Sequence, residues 1–91
     1  MVLSYEVRLT SKCQKNIKKL SRVDLERCLA KIKVLESFSP KTTNVKKLQG
    51  IDSKVYRLRI GNIRVIFEVD STTKIVWILE MGYRGGVYDD L

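Results

Sequence analysis

Arg57, Arg59 and Arg64 are the side chains in this chain whose type and spacing best suit the holding of an anion. They lie in the run Tyr56–Phe67, which reads Y-R-L-R-I-G-N-I-R-V-I-F. Gly61-Asn62 is a two-residue loop signal between two β-prone runs. A hairpin closed on that pair sets Ile60 opposite Ile63, Arg59 opposite Arg64, Leu58 opposite Val65 and Tyr56 opposite Phe67. Side chains alternate along a strand, so Arg57, Arg59 and Arg64 share one face. Tyr56, Leu58, Ile60, Ile63, Val65 and Phe67 share the other. Like charges directly across a strand pair are destabilising, and an anion or a carboxylate would offset the cost. Guanidinium forks match phosphate oxygens, so the anion reading makes this a phosphate-binding sheet face. The carboxylate reading pairs Arg57 diagonally with Glu68 and brings Glu80 on a third strand against Arg64, and such exposed pairs are weak.

The elements that would position these residues can be read outward from the hairpin. Residues 2–9 alternate and predict a strand with Leu3, Tyr5, Val7 and Leu9 facing the core. Thr10 or Ser11 then offers a helix N-cap. A short basic helix follows, with Cys13, Ile17 and Leu20 at helical spacing. Ser21 with Asp24 resembles a capping box and opens a second helix to about Ser37. Its apolar stripe is Leu25, Cys28, Leu29, Ile32 and Leu35. Pro40 prevents continuation, and Lys46 and Lys47 belong to a short extended piece. Strands are predicted at about 54–60, 63–70 and 75–81. If Phe67 pairs with Trp77, then Trp77 and Leu79 continue the core face and Glu80 lies opposite Arg64. Consecutive strands joined by short loops are antiparallel. The expected fold is therefore α+β: an antiparallel sheet of four to five strands, order β-α-α-β-β-β, with an N-terminal helical hairpin packed on one face.

A chain of 91 residues is one domain, spanning 1–91. Its net charge of +8 argues for an acidic partner, nucleic acid being the leading case. Residues 1–50 hold 12 Lys/Arg against 4 Asp/Glu, whereas residues 51–91 hold 6 of each. A broad field from the helical half and focused arginines on the sheet suit a polyanion such as RNA. Lys46, Lys47 and Lys54 are the lysines expected to add backbone contacts. The chain has no histidine, which removes the usual general acid or base. Two cysteines, Cys13 and Cys28, are too few for a disulfide framework and read as reduced core residues. No zinc site is expected, and Glu68 with Asp70 is a weak metal signal lacking a third ligand. No cofactor is expected. The opening residues hold no apolar run suited to a signal peptide, and no segment reaches membrane-spanning length. A cytoplasmic location is the expectation.

Several stretches together resemble the RelE/ParE toxin superfamily of bacterial and archaeal toxin–antitoxin systems. They are Tyr5-Glu6-Val7, Lys47-Leu48-Gln49-Gly50, the hairpin Tyr56–Phe67, Gly82-Tyr83-Arg84 and Val87-Tyr88. The likeness covers nearly the whole chain. It implies a toxin that cuts mRNA in the ribosomal decoding site, as RelE-type members do, with two alternatives: a DNA gyrase inhibitor acting by binding, as ParE-type members do, or a catalytically inactive relative that only binds its partner. On the RelE pattern Arg57 and Arg59 align with the two basic residues of the first hairpin strand. Arg64 aligns with the arginine of the next strand, Arg84 with an arginine after the last strand, and Tyr88 with a C-terminal tyrosine. The best-studied members carry lysines where this chain has Arg57 and Arg59. The resemblance implies a cognate acidic antitoxin, the ribosome and mRNA as partners.

Metal-free RNA cleavage requires activation of a 2′-OH, stabilisation of a pentavalent phosphorane and protonation of the leaving 5′-oxygen. Clustered guanidinium groups serve the second role. They remain protonated up to pH ~12, so Arg57 and Arg59 are poor proton carriers. Tyr88 is the residue expected to move protons, because nearby guanidinium charge lowers a phenol pKa from its usual ~10. Its ring could instead stack on a base. Held on a ribosome, even a weak proton-transfer apparatus gains from orientation.

Overall fold

The computed structural model describes residues 4–37, 45–47 and 54–83. Five strands form one sheet: β1 (Glu6–Leu9), β2 (Val45–Lys47), β3 (Val55–Ile60), β4 (Ile63–Asp70) and β5 (Ile75–Tyr83), in the spatial order β1-β5-β4-β3-β2. Helices α1 (Ser11–Asn16) and α2 (Arg22–Ile32) stand between β1 and β2, and each runs on into a 3-10 turn, Ile17–Lys19 and Lys33–Ser37. The α+β architecture is the expected one.

The β3–β4 hairpin closes on Gly61-Asn62 in the register read from the sequence, with Ile60 opposite Ile63 and Arg59 opposite Arg64. Gly61 takes φ +58°, while Asn62 stays at negative φ. That is the pattern of a type II′ loop, whose first central position favours glycine. The inward face carries Leu58, Ile60, Ile63, Val65 and Phe67, all buried. They pack with Cys13, Leu20, Cys28, Ile32 and Leu35 from the helical layer. Leu25 packs at the margin of this core, whereas Leu29, expected on the same stripe, is 43% exposed. The Cys13 thiol is pushed up to about 11, chiefly by its burial, and burial likewise raises Cys28.

Three expectations are corrected. First, the sheet is mixed, because β1 pairs with β5 in parallel, Glu6 against Ile75 through Leu9 against Ile78. The helices carry the chain from β1 to β2 at the far edge of the sheet, and β3, β4 and β5 lead back until β5 meets β1 in parallel. Second, β1 begins only at Glu6, and β5 extends to Tyr83 rather than ending at 81. Third, the β4–β5 register differs: Phe67 faces Ile78, Glu68 faces Trp77, Arg64 faces Gly82 and Glu80 faces Ile66. A bulge between Ile66 and Phe67 takes up the extra residue, Leu79. A slip of one residue exchanges the faces of a strand, so Trp77 leaves the core face assigned to it.

Past Ile78, β1 has ended and the edge of β5 would stand open. Thr10 and α1 close it. The Thr10 amide donates to the Ile78 carbonyl (3.1 Å), and Thr10 Oγ1 donates to the Leu79 carbonyl (3.0 Å). The Met81 amide donates to Asn16 Oδ1 (3.2 Å). Covering an edge with polar side chains removes a template for unwanted strand pairing. Thr10 Oγ1 also accepts from the Cys13 amide (3.1 Å), which makes it the α1 N-cap. At α2, Ser21 Oγ accepts from the Asp24 amide (3.1 Å), as the capping reading expects. The return bond runs through a tyrosine: the Ser21 amide donates to Tyr83 Oη (3.1 Å), and that hydroxyl donates to Asp24 (2.7 Å). The end of β5 is thereby fixed to the start of α2.

Candidate anion-binding site

Strand registers place the outward residues in rows across the sheet. One row runs Lys46, Arg57, Ile66, Glu80. The next runs Arg59, Arg64, Gly82. Val45, Lys46, Arg57 and Arg59 line a groove of about 220 Å³ at the β2–β3 end of this face. Three cationic side chains thus converge on one concavity, with Arg64 directly across the strand pair from Arg59.

The face is less open than the alternation alone implies. Arg59 is exposed and Arg57 half-buried, but Arg64 is only 6% and Glu80 8% exposed. Ile66 is buried between them. Glu80 does not come opposite Arg64 as the sequence register had it. It lies one row away and is ion-paired with Lys12 of α1. Gly82 opposite Arg64 contributes no side chain at that point. The Arg59–Arg64 pair keeps its directly cross-strand geometry, and like charges so placed repel.

Of the other basic residues, Lys46 joins the groove. Lys47 pairs with Tyr56 on the opposite, inward side of β2–β3. Lys54 precedes β3 at the far end of the hairpin, where its ammonium donates to Ser71 Oγ (3.2 Å). Neither shares the groove. Arg84 and Tyr88 lie outside the described residues. No cluster of metal-ligating side chains occurs among the described residues. Asp70 instead shapes the β4–β5 turn, accepting from the amides of Thr72 (3.0 Å) and Thr73 (3.2 Å), which holds its carboxyl below the usual range. Asp24 is lowered in the same way by the hydrogen bonds from Tyr83 and Ser21. No helix is long and apolar enough to cross a membrane, among the described residues.

No family model matches the sequence, and no curated protein matches it. Solved structures do. The chain is 29% identical to a chain of the archaeal RelE–RelB complex of Pyrococcus horikoshii, with a TM-score of 0.76 over 92% of this chain and 99% of that one. It is 24% identical to the isolated RelE toxin of E. coli, TM-score 0.72, covering 96% and 94%. A chain of the RelB–RelE complex of Methanococcus jannaschii gives 24% and 0.72, covering 91% and 96%. Fold, chain length and the order of the hairpin elements agree with these structures along nearly the whole chain. In fold, and over nearly its whole length, the chain is similar to the RelE-like toxins.

Proposed function

We propose that this chain is the toxin of a toxin–antitoxin pair and a ribosome-dependent, metal-independent endoribonuclease that cuts mRNA. The observation that carries the reading is the convergence of Lys46, Arg57 and Arg59 on one groove, with Arg64 directly across from Arg59. Permanently charged, planar donors in this arrangement suit the two non-bridging oxygens of a phosphorane. In this reading Arg57 and Arg59 hold the scissile phosphate and Lys46 a neighbouring one. Arg64 adds positive charge where negative charge develops. The 2′-OH attacks the adjacent phosphorus, the P–O5′ bond breaks, and the 5′-oxygen leaves as an alcohol. Arg84 supplements the charge, and Tyr88 takes or gives the proton. The ribosome supplies substrate alignment, which stands in for an elaborate acid–base apparatus.

The partner in this reading is an acidic antitoxin. The supporting observations are the net charge of +8 and neighbours solved as complexes with RelB. Its binding should weaken as salt rises. Mapping mRNA 5′ ends after brief expression in growing cells tests the activity. Codon-positioned cuts that disappear on co-expression of the adjacent gene product are expected. Intact mRNA accompanied by DNA damage and supercoiling defects would instead favour a gyrase inhibitor.

A further inference from the structure

Trp77 is the only tryptophan of the chain, and it is absent from the core. Neither the buried cluster nor the apolar residues packed on it include Trp77, among the described residues. Its register partners are Glu68 of β4 and Arg8 of β1. Glu68 lies two residues from Ile66 on the outward face, so Trp77 shares the face of Arg57 and Arg59. The guanidinium of Arg8 stands 5.9 Å from the ring centroid, at the outer limit of a cation–π contact, and it is held by Glu6. The ring is half-buried. A large aromatic side chain held half-buried on a polar sheet face, flanked by a cation and a carboxylate, is poorly explained by packing.

We infer that Trp77, flanked by Arg8 and Glu68, is a nucleobase-stacking subsite for single-stranded RNA whose phosphates lie in the arginine groove. The inference rests on the proposed RNA-cleaving function. Trp77 and Arg57 are two strands and two residues apart, about 12 Å by sheet spacings. Three to four nucleotides stacked at ~3.4 Å cover that distance. The charges divide the face accordingly. Cations at the groove end attract phosphate. The exposed carboxylate of Glu68 repels phosphate at the other end but accepts hydrogen bonds from base amino groups. Every base has a π-face, so stacking on Trp77 tolerates sequence. Arg8 at the ring margin can turn its own plane toward the same base.

Because Trp77 is the sole tryptophan, its fluorescence reports the subsite directly. Two probes are titrated into the full chain at low salt: an uncleavable 2′-O-methyl hexaribonucleotide, and an abasic strand of the same length. The expected result is that both bind and only the base-bearing strand quenches Trp77. Affinities of Trp77→Leu and Trp77→Phe are then measured by anisotropy of labelled strands. Trp77→Leu should bind the base-bearing strand about tenfold more weakly and the abasic strand unchanged. Trp77→Phe should recover most of the loss, and melting of both variants confirms that they fold. Binding of both strands without quenching, and without loss in Trp77→Leu, overturns the subsite while leaving the RNA reading in place. Failure of both strands to bind overturns the subsite, and cleavage of ribosome-bound mRNA by the same preparation then tests the RNA reading separately.

Discussion

The two faces of the β3–β4 hairpin are built from the same strands and turned to opposite ends. The inward face stacks Leu58, Ile60, Ile63, Val65 and Phe67 into the core. Each of these residues stabilises the fold by leaving water. The outward face opposes Arg59 to Arg64 and sets Arg57 beside Lys46. Like charges set side by side in this way repel. One face is therefore accounted for by folding alone, and the other is not. The difference supports the proposal that the outward face, rather than the core, carries the anion site.

The inward face should fail first when it is damaged. Phe67 is fully buried and stacks on Tyr56 at 5.6 Å between ring centroids. Phe67→Ala is expected to cost about 3–5 kcal/mol, enough to unfold much of a domain this small, as denaturant titration would show. An unchanged midpoint would contradict the core assignment. Alkaline pH probes the same face next. Folding raises the Cys13 thiol to about 11, so its stabilisation is complete below the unfolded-state pKa of ~8.5 and declines as pH rises toward the folded value. The effect is roughly 3 kcal/mol by pH 11; Cys13→Ala should remove it and leave only the loss that belongs to Cys28.

Smaller effects belong to the contacts that frame the outward face. Tyr83→Phe removes the hydroxyl that joins Ser21 to Asp24 and should cost about 1 kcal/mol, read as a shift in the denaturation midpoint. Asp24 and Asp70 both have lowered carboxyl values. Their contributions are present above the unfolded-state pKa of ~3.9 and are lost as pH falls through the folded values. With no histidine in the chain, stability should be nearly flat from pH 5 to 8 and, on the acid side, fall only below ~4. A midpoint that moves between pH 5 and 8 would contradict this.

What could be read from sequence divides at the hairpin. Gly61-Asn62 and strict alternation admit one register for β3–β4, so the opposition of Arg59 to Arg64 was legible residue by residue. The four-residue link Ser71–Lys74 pins nothing comparable. The bulge at Ile66/Phe67 then moved Glu80 away from Arg64 and turned Trp77 outward. The parallel pairing of β1 with β5 joins residues far apart in the chain, and local pattern carries no trace of it. Lys47 and Lys54 looked equivalent to Lys46 as charges. Only the pairing of Lys46 with Arg57 decides which of the three reaches the groove. Burial of Arg64 and Glu80 on a face that alternation reads as solvated depends on tertiary neighbours.

Arg59 gives the most direct test of the central claim, because it is exposed, lines the groove and opposes Arg64. Melting temperature and cleavage of ribosome-bound mRNA are to be measured on one preparation of Arg59→Ala. Relief of like-charge strain should leave the melting temperature unchanged or raised. Loss of a donor to the developing oxyanion should lower cleavage by about 10²-fold or more. A variant that cleaves as fast as the parent, whatever its stability, would contradict the account.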